Sequence, residues 1–436
     1  MSAWSAARRI LCIRLDNMGD VLMSTPAMQA LKESAPGRHI TLLTSHGAAS
    51  LARHLPMVDM VWAWDAPWVK HGSGVSPQRG GDGADRADTS MMQWVQRIAA
   101  GRFDAAVIFT VYSQSPLPAA LLCTTAGIPL RLAHCRENPY DLLTDWVRET
   151  EPHEQVRHEV QRQLDLVATV GADVADTRLR FQVQPADQDN VARRLLALDP
   201  LRMPGAGPMP PCVVVHPGAT AASRRWPPER FAEVARALAS RTGALVLVTG
   251  SNGEAPLVEA VRKLAAHPRV LGQAGALTLG EMGALIQSAD VLVSNNSGPV
   301  HLAAALGTPV VDLYALTNPQ HTPWQVPHRT LFADVPCRYC YKSVCPQQHH
   351  RCLADVTPQE AIDATLALLA AARADAGTGG MVASDLATVP LRPALAAGVE
   401  RRIDASALAL ARPPVHENAA GPAGTAYAAI ATSLAT

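Results

Sequence analysis

Short apolar runs and helically spaced apolar positions alternate along this chain, and they do so in two series. In the first, residues 10–15, 39–44, 58–64, 105–109 and 130–133 read as strands. Residues 26–34, 48–54, 91–100, 117–124 and 156–170 read as helices, and 179–183 as a closing strand. In the second series, strands at 212–216 and 244–249 alternate with helices at 227–241, 254–266 and 279–288, and a helix at 357–372 ends the patterned part. The clearest unit is DVLVSNNSGPVHLAAALGTPVVDLY, residues 290–314. It is an apolar run, a turn from Asn295 to Pro299, an Ala/Leu helix stopped by Gly307, and a second apolar run. Strands joined through helices pair in parallel, and ligands in such sheets sit off the carboxyl ends of strands. Ser297 and Gly298 fall there. The free amides and dipole of a helix N-terminus suit a diphosphate, although an ordinary strand-to-helix turn fits the same residues. Gly19 marks a second turn of this kind.

Breaks in the pattern set the domain plan. Residues 200–211 (PLRMPGAGPMPP) are rich in Pro and Gly, which divides an N-terminal Rossmann-like domain (1–200) from a C-terminal one (201–373). Residues 72–89 are polar and Gly/Asp-rich, as in a mobile surface loop; no strand precedes Gly81 and Gly83, so they are no dinucleotide fingerprint. From 374 to 436 the composition turns to Ala, Gly, Pro and Thr, which predicts a disordered tail with a transient helix near 405–411. The 38 basic residues balance the 38 acidic ones, so no global field recruits nucleic acid. No apolar run approaches the roughly 18 residues of a membrane span, and the N-terminus enters a strand without a signal-peptide core. Eight cysteines in 436 residues are no secreted disulfide scaffold. These features predict a cytoplasmic α/β protein, and they set no oligomeric state.

Several residues carry candidate chemistry. Asp20 follows Gly19 at a turn where a carboxylate serves either as a helix N-terminal acid or as a base facing a cleft. Arg224 and Arg225 precede Trp226 and Pro227, as a pair suited to an anion or to solvent, with Trp226 a packing anchor. Glu254 follows a Gly-Ser-Asn-Gly turn, placed for ribose hydroxyls or for a helix start. His301 fits a phosphate contact or a core position, and Arg14 is a lone charge in an apolar strand.

In chain order, Arg14-Leu15-Asp16-Asn17-Met18-Gly19-Asp20-Val21 with Thr25-Pro26-Ala27, His216-Pro217-Gly218, Arg224-Arg225-Trp226-Pro227, Thr249-Gly250-Ser251 with Glu254, and Asn295-Asn296-Ser297-Gly298-Pro299 with His301 resemble the motifs of glycosyltransferase family 9. That family contains the ADP-heptose:lipopolysaccharide heptosyltransferases. The resemblance runs from Ile10 to Ala371 and leaves the tail outside it. It implies a GT-B fold, two Rossmann-like domains facing a cleft, and a metal-independent inverting glycosyltransferase that requires no cofactor. The implied donor is an ADP-sugar and the implied acceptor a lipid-linked saccharide of lipopolysaccharide-core type, with peripheral contact at the inner face of the inner membrane. By resemblance, Asp20 is the base and Arg224 opposes the departing diphosphate. Glu254, Asn296, Ser297, Gly298 and His301 hold the donor, while Arg14 and Gly19 lie near the acceptor, where Arg14 suits an acidic sugar or a phosphate. Two positions depart from the pattern, since the family is expected to carry Lys at 224 and Asp at 296.

Two alternatives use the same architecture. A nucleotide-sugar epimerase would release free sugar without an acceptor. A non-catalytic homologue would bind ADP-sugar without transfer, and Asn296 is the residue that suggests it. Separately, Cys337, Cys340, Cys345 and Cys352 are spaced C-x2-C-x4-C-x6-C with His349 and His350 among them, a pattern that admits a structural Zn²⁺ site as well as redox or packing thiols. Cys12, Cys123, Cys135 and Cys212 sit in or near apolar runs and read as core.

Overall fold

The computed structural model describes residues 3–69, 90–199 and 209–377. The expected loop at 72–89, residues 200–208 of the linker, and the tail from 378 with its 405–411 helix lie outside the described residues. Strands β1 (Arg9–Arg14), β2 (His39–Thr44), β3 (Met60–Ala63), β4 (Ala105–Ile108), β5 (Leu130–Cys135) and β6 (Asp145–Arg148) form one sheet in the order β3-β2-β1-β4-β5-β6. Strands β7 (Cys212–His216), β8 (Leu245–Gly250), β9 (Val270–Ala274), β10 (Val291–Asn295), β11 (Val310–Leu313) and β12 (His328–Leu331) form a second, in the order β12-β11-β10-β7-β8-β9. Every pairing is parallel. Both sheets therefore repeat one doubly wound order, and the winding reverses between β1 and β4 and again between β7 and β10. The fold is the expected GT-B pair.

The central strands are legible as apolar runs because helices cover both of their faces. β7 and β10, for instance, are buried along nearly their whole length. β6 escapes that reading. It is Asp-Trp-Val-Arg at a sheet edge, alternating half-buried and exposed positions.

Residues 179–183 are not a strand. The segment runs extended between the lobes and bonds sideways, from Gln182 N–H to the His54 carbonyl (2.8 Å) and from Arg180 N–H to Thr25 Oγ1 (3.0 Å). Its apolar residues Leu179, Phe181 and Val183 are buried without a sheet partner, and Phe181 stacks on His54. Helix Pro185–Leu198 was not expected, since only Val191 and Leu195 of its residues are buried. It lies on the second lobe, where Asn190 Nδ2 donates to Glu281 (3.1 Å) and Arg194 to Gln273 (2.9 Å).

One core cluster runs through both lobes, joining Ile10 and Leu42 to Leu285 and Leu302. The loop between β11 and β12 straps the lobes together. Glu159 N–H donates to the Gln320 carbonyl (3.1 Å), His158 Nε2 lies 2.9 Å from the Thr322 carbonyl, and Trp324 Nε1 donates to the Thr177 carbonyl (2.8 Å).

Candidate active site

β1 delivers Arg14 to the crevice between the sheets. It is fully buried, and its guanidinium meets Glu159 (2.9 Å), Asp16 (3.0 Å) and Asp20 (3.3 Å). Helix Met18–Met23 begins beyond it because Asn17 and Asp20 close a reciprocal cap, with Asp20 accepting from the Asn17 N–H at 3.2 Å. The Asp20 side chain keeps 14% exposure. Burial pushes its carboxyl up to about 6, against the pull of Arg14 and Arg224 and with the push of Asp16 and Glu159. Such a carboxylate is mostly ionised at neutral pH and still basic enough to take a proton. Arg14 itself is engaged by three carboxylates, which an acceptor would have to displace to reach it.

Across the crevice, the structure gives the two arginines different tasks. Arg225 turns back on its own loop, with Nε donating to the Ala219 carbonyl at 2.7 Å. Trp226 anchors the segment, 1% exposed, with its backbone N–H on Asn295 Oδ1 (3.0 Å) and its ring on Phe231. Among the described residues nothing holds the Arg224 guanidinium, yet its charge acts on Asp20, Asp312, His301 and His321.

Helix Gly298–Leu306 starts at Ser297, and no side chain caps it. The preceding asparagines act as staples. Asn295 Nδ2 donates to the Pro217 carbonyl (2.7 Å), tying down the loop after β7. Asn296 Nδ2 donates to Asp312 Oδ2 (3.0 Å) and to the His321 carbonyl (2.9 Å), so what it offers the cleft is its carbonyl oxygen. Asp312 is fully buried, and burial pushes its carboxyl up to about 8 against the pull of the Asn296 amide and Arg224. A second carboxylate at 296 would face that group directly. Asn296 therefore has a structural reason independent of any loss of turnover.

Glu254 Oε2 accepts from Ser251 N–H (2.8 Å) and Oγ (2.9 Å), and its Oε1 lies over Gly218, where a Cβ would come within 2.0 Å. The two lobes meet at their helix starts. A Cβ on Gly19 would stand 2.7 Å from His301 Cδ2, and one on Gly298 2.7 Å from Met18 Cε. His301 thus lies between the lobes, held neutral by burial.

The crevice brings together Asp20, Arg14, Gly19, Arg224, Gly298 and His301, with Asn296, Ser297 and Glu254 on its second wall. It also brings in Asp16, Glu159, Asp312 and His321, which the sequence reading had not singled out. Glu159 left a faint signal as an acid on the buried face of its helix. His321, on an irregular loop, left none. The four clustered cysteines with His349 and His350 line a separate small depression, and Cys337 Sγ lies 3.6 Å from His349 Nε2. Among the described residues no group of three or more His, Cys, Asp or Glu side chains is arranged to hold a metal ion, so the Zn²⁺ expectation finds no support.

The sequence profile of glycosyltransferase family 9 (heptosyltransferase) matches residues 91–351. The chain belongs to glycosyltransferase family 9. This family 9 enzyme is a glycosyltransferase, 26% identical over 374 residues to lipooligosaccharide heptosyltransferase 2 of Haemophilus influenzae, covering 83% of this chain and 99% of that one. A match to the Campylobacter jejuni protein of the same name is 28% identical over 160 residues and spans 36% of this chain and 50% of that relative. In fold it is similar to E. coli ADP-heptose lipopolysaccharide heptosyltransferase II, at 22% identity and a TM-score of 0.62, covering 84% of this chain and 99% of that one. No helix among the described residues is long and apolar enough to cross a membrane.

Proposed function

We propose that this family 9 glycosyltransferase moves a heptose, or a closely related sugar, from an ADP-sugar to a hydroxyl of a lipopolysaccharide-core-type saccharide, with inversion at the anomeric carbon. The observation that carries the reading is Arg224, a cation that no described side chain holds and whose charge acts on Asp20 across the crevice. In the reaction the acceptor oxygen bonds to the anomeric carbon while its proton passes to Asp20. The bond from that carbon to the phosphate oxygen breaks, and its electron pair leaves with ADP. Arg224 and the open helix start at Ser297 and Gly298 oppose the charge that grows on the leaving diphosphate. Glu254 takes the ribose hydroxyls, the Asn296 carbonyl oxygen takes a donor-sugar hydroxyl, and His301 lines the diphosphate side. Arg14 acts by holding Asp20, and Gly19 lets the lobes close. Because helix Pro185–Leu198 packs on the second lobe, the division between an acceptor lobe and a donor lobe then falls ahead of that helix, before the expected boundary at 200.

The acceptor's lipid end implies peripheral contact with the cytoplasmic face of the inner membrane. Exposed Met91, Met92, Leu121 and Tyr140, all on the N-terminal lobe, support that placement. Exchanging Met91 and Met92 for serine should reduce sedimentation with anionic vesicles.

The decisive test is a donor panel, ADP-heptose against ADP-, UDP- and GDP-hexoses, assayed by nucleoside diphosphate release with and without acceptor extract. Asp20→Asn should bind ADP-heptose as the parent does and transfer about 10²- to 10⁴-fold more slowly. Equal rates would remove Asp20 from the mechanism.

A further inference from the structure

No described side chain holds the Arg224 guanidinium, so its place in the crevice is set by the backbone turn that carries it, Ala222–Arg224. Two joints fix that turn. After it, the Trp226 N–H donates to Asn295 Oδ1 at 3.0 Å. Within it stands Ser223, only 4% exposed, which docks on a segment 119 positions further along the chain. Its hydroxyl donates to the Lys342 carbonyl (2.7 Å) and its N–H to the Ser343 carbonyl (3.0 Å).

The two accepting carbonyls are themselves held in place. Tyr339 N–H donates to the Leu316 carbonyl (2.6 Å) and Tyr341 N–H to the Thr317 carbonyl (2.9 Å). Leu316 and Thr317 open the strap between β11 and β12, whose Gln320 carbonyl accepts from Glu159 of the N-terminal lobe. The segment is thus registered against the lobe that carries Asp20. Tyr339, Tyr341, Gln348 and His350 all hold positive φ, between 49° and 59°. Such conformations are costly for residues other than glycine and persist only where the surroundings over-determine them. Cys337, Cys340, Cys345 and Cys352 converge with Ser223 on a depression of about 20 Å³, room for one water and for no substrate. The segment is packed as a buttress and is not shaped as a ligand pocket.

We infer that Ser223 is a positioning residue for the departing diphosphate: its hydroxyl ties the Arg224 turn to the cysteine-bearing segment and so sets where the cation stands. The inference rests on the transferase reading for the role of Arg224, and Ser223 acts only through that neighbour. Without the hydroxyl the Lys342 carbonyl loses its donor, and the turn keeps one bond to the buttress where it had two. The charge that Arg224 opposes grows as the donor bond breaks. A displaced cation therefore costs the transition state and the product ADP more than it costs the bound ADP-sugar.

The test is a double-mutant cycle on the full chain, with Ser223→Ala, Arg224→Ala and the two combined. Ser223→Ala should lower kcat about five-fold or more, keep KM for ADP-heptose within about two-fold, and weaken ADP binding in calorimetry about three-fold or more. In the Arg224→Ala background the same exchange should move kcat and ADP affinity by less than about two-fold, because the cation it places is gone. A hydroxyl that serves the fold alone would cost the same in both backgrounds. That outcome would overturn the inference, as would parental kcat and ADP affinity in Ser223→Ala. Failure of the transferase reading looks different. If the parent releases ADP from no ADP-sugar, that reading falls, while the ADP-binding cycle still decides whether Ser223 acts through Arg224.

Discussion

Asn296 shows how one residue's meaning depends on its neighbour. An acid was expected at this position, and exchange to Asp looks like a restoration, yet its amide is the donor that buried Asp312 requires. Asn296→Asp should therefore lower stability by about 1–3 kcal/mol in chemical denaturation, and adding Asp312→Asn should recover part of the loss. The base makes a second prediction. With Asp20 at about 6, kcat/KM should drop tenfold per pH unit below that value and level off above it. Glu159 pushes the Asp20 carboxyl up, so Glu159→Gln should move the limb to lower pH. The adjacent arginines should separate cleanly. Arg224→Ala should cost about 10²- to 10³-fold in kcat, whereas Arg225→Ala, which loses only a loop contact, should leave kcat within a few-fold. The motifs name Asp20 and Arg224 in the sequence; without that resemblance the direction of either arginine stays open, because a pair before a helix can face a ligand or solvent.

At the scale of elements, the two helix starts decide whether the site can assemble. Helix Met18–Met23 approaches helix Gly298–Leu306 so closely that Gly19 has no room for a methyl group beside His301. Gly19→Ala should hold the lobes apart and destabilise by about 1–3 kcal/mol, with Gly19→Ala/His301→Ala closer to the parent in thermal melting. β1, β4, β7 and β10 were legible as strands because burial on both faces leaves nearly continuous apolar runs. β6 and helix Pro185–Leu198 were not, since an edge strand and a half-exposed helix carry polar residues that blur the period. Residues 179–183 misled in the opposite way. Their alternating buried residues have the spacing of a strand, but they fill a seam between lobes where no strand edge is available.

For the whole molecule, the strap between β11 and β12 couples the lobes through His158, whose ring accepts from the Val160 N–H and lies against the Thr322 carbonyl. Burial lowers this histidine to about 4, below its unfolded value of about 6.5. Its contribution is therefore present at neutral pH and is lost as pH falls through that window, because the unfolded chain then binds the extra proton. The urea midpoint of the parent should fall relative to that of His158→Gln between pH 7 and pH 5. Trp324→Ala, which removes a ring tilted against His158 at 4.5 Å between centroids and a hydrogen bond to Thr177, should loosen the same joint and raise KM for both substrates.

By itself the sequence determined two parallel α/β lobes, the turns at Gly19 and Ser297, and the family, because apolar periodicity and turn chemistry are written in residues close together along the chain. Only the tertiary structure decided that Arg14 supports the base and that Asp312 explains Asn296. Those facts arise between residues up to 145 positions apart, as in the bond from Arg14 to Glu159, and a charge's role is set by what burial places against it.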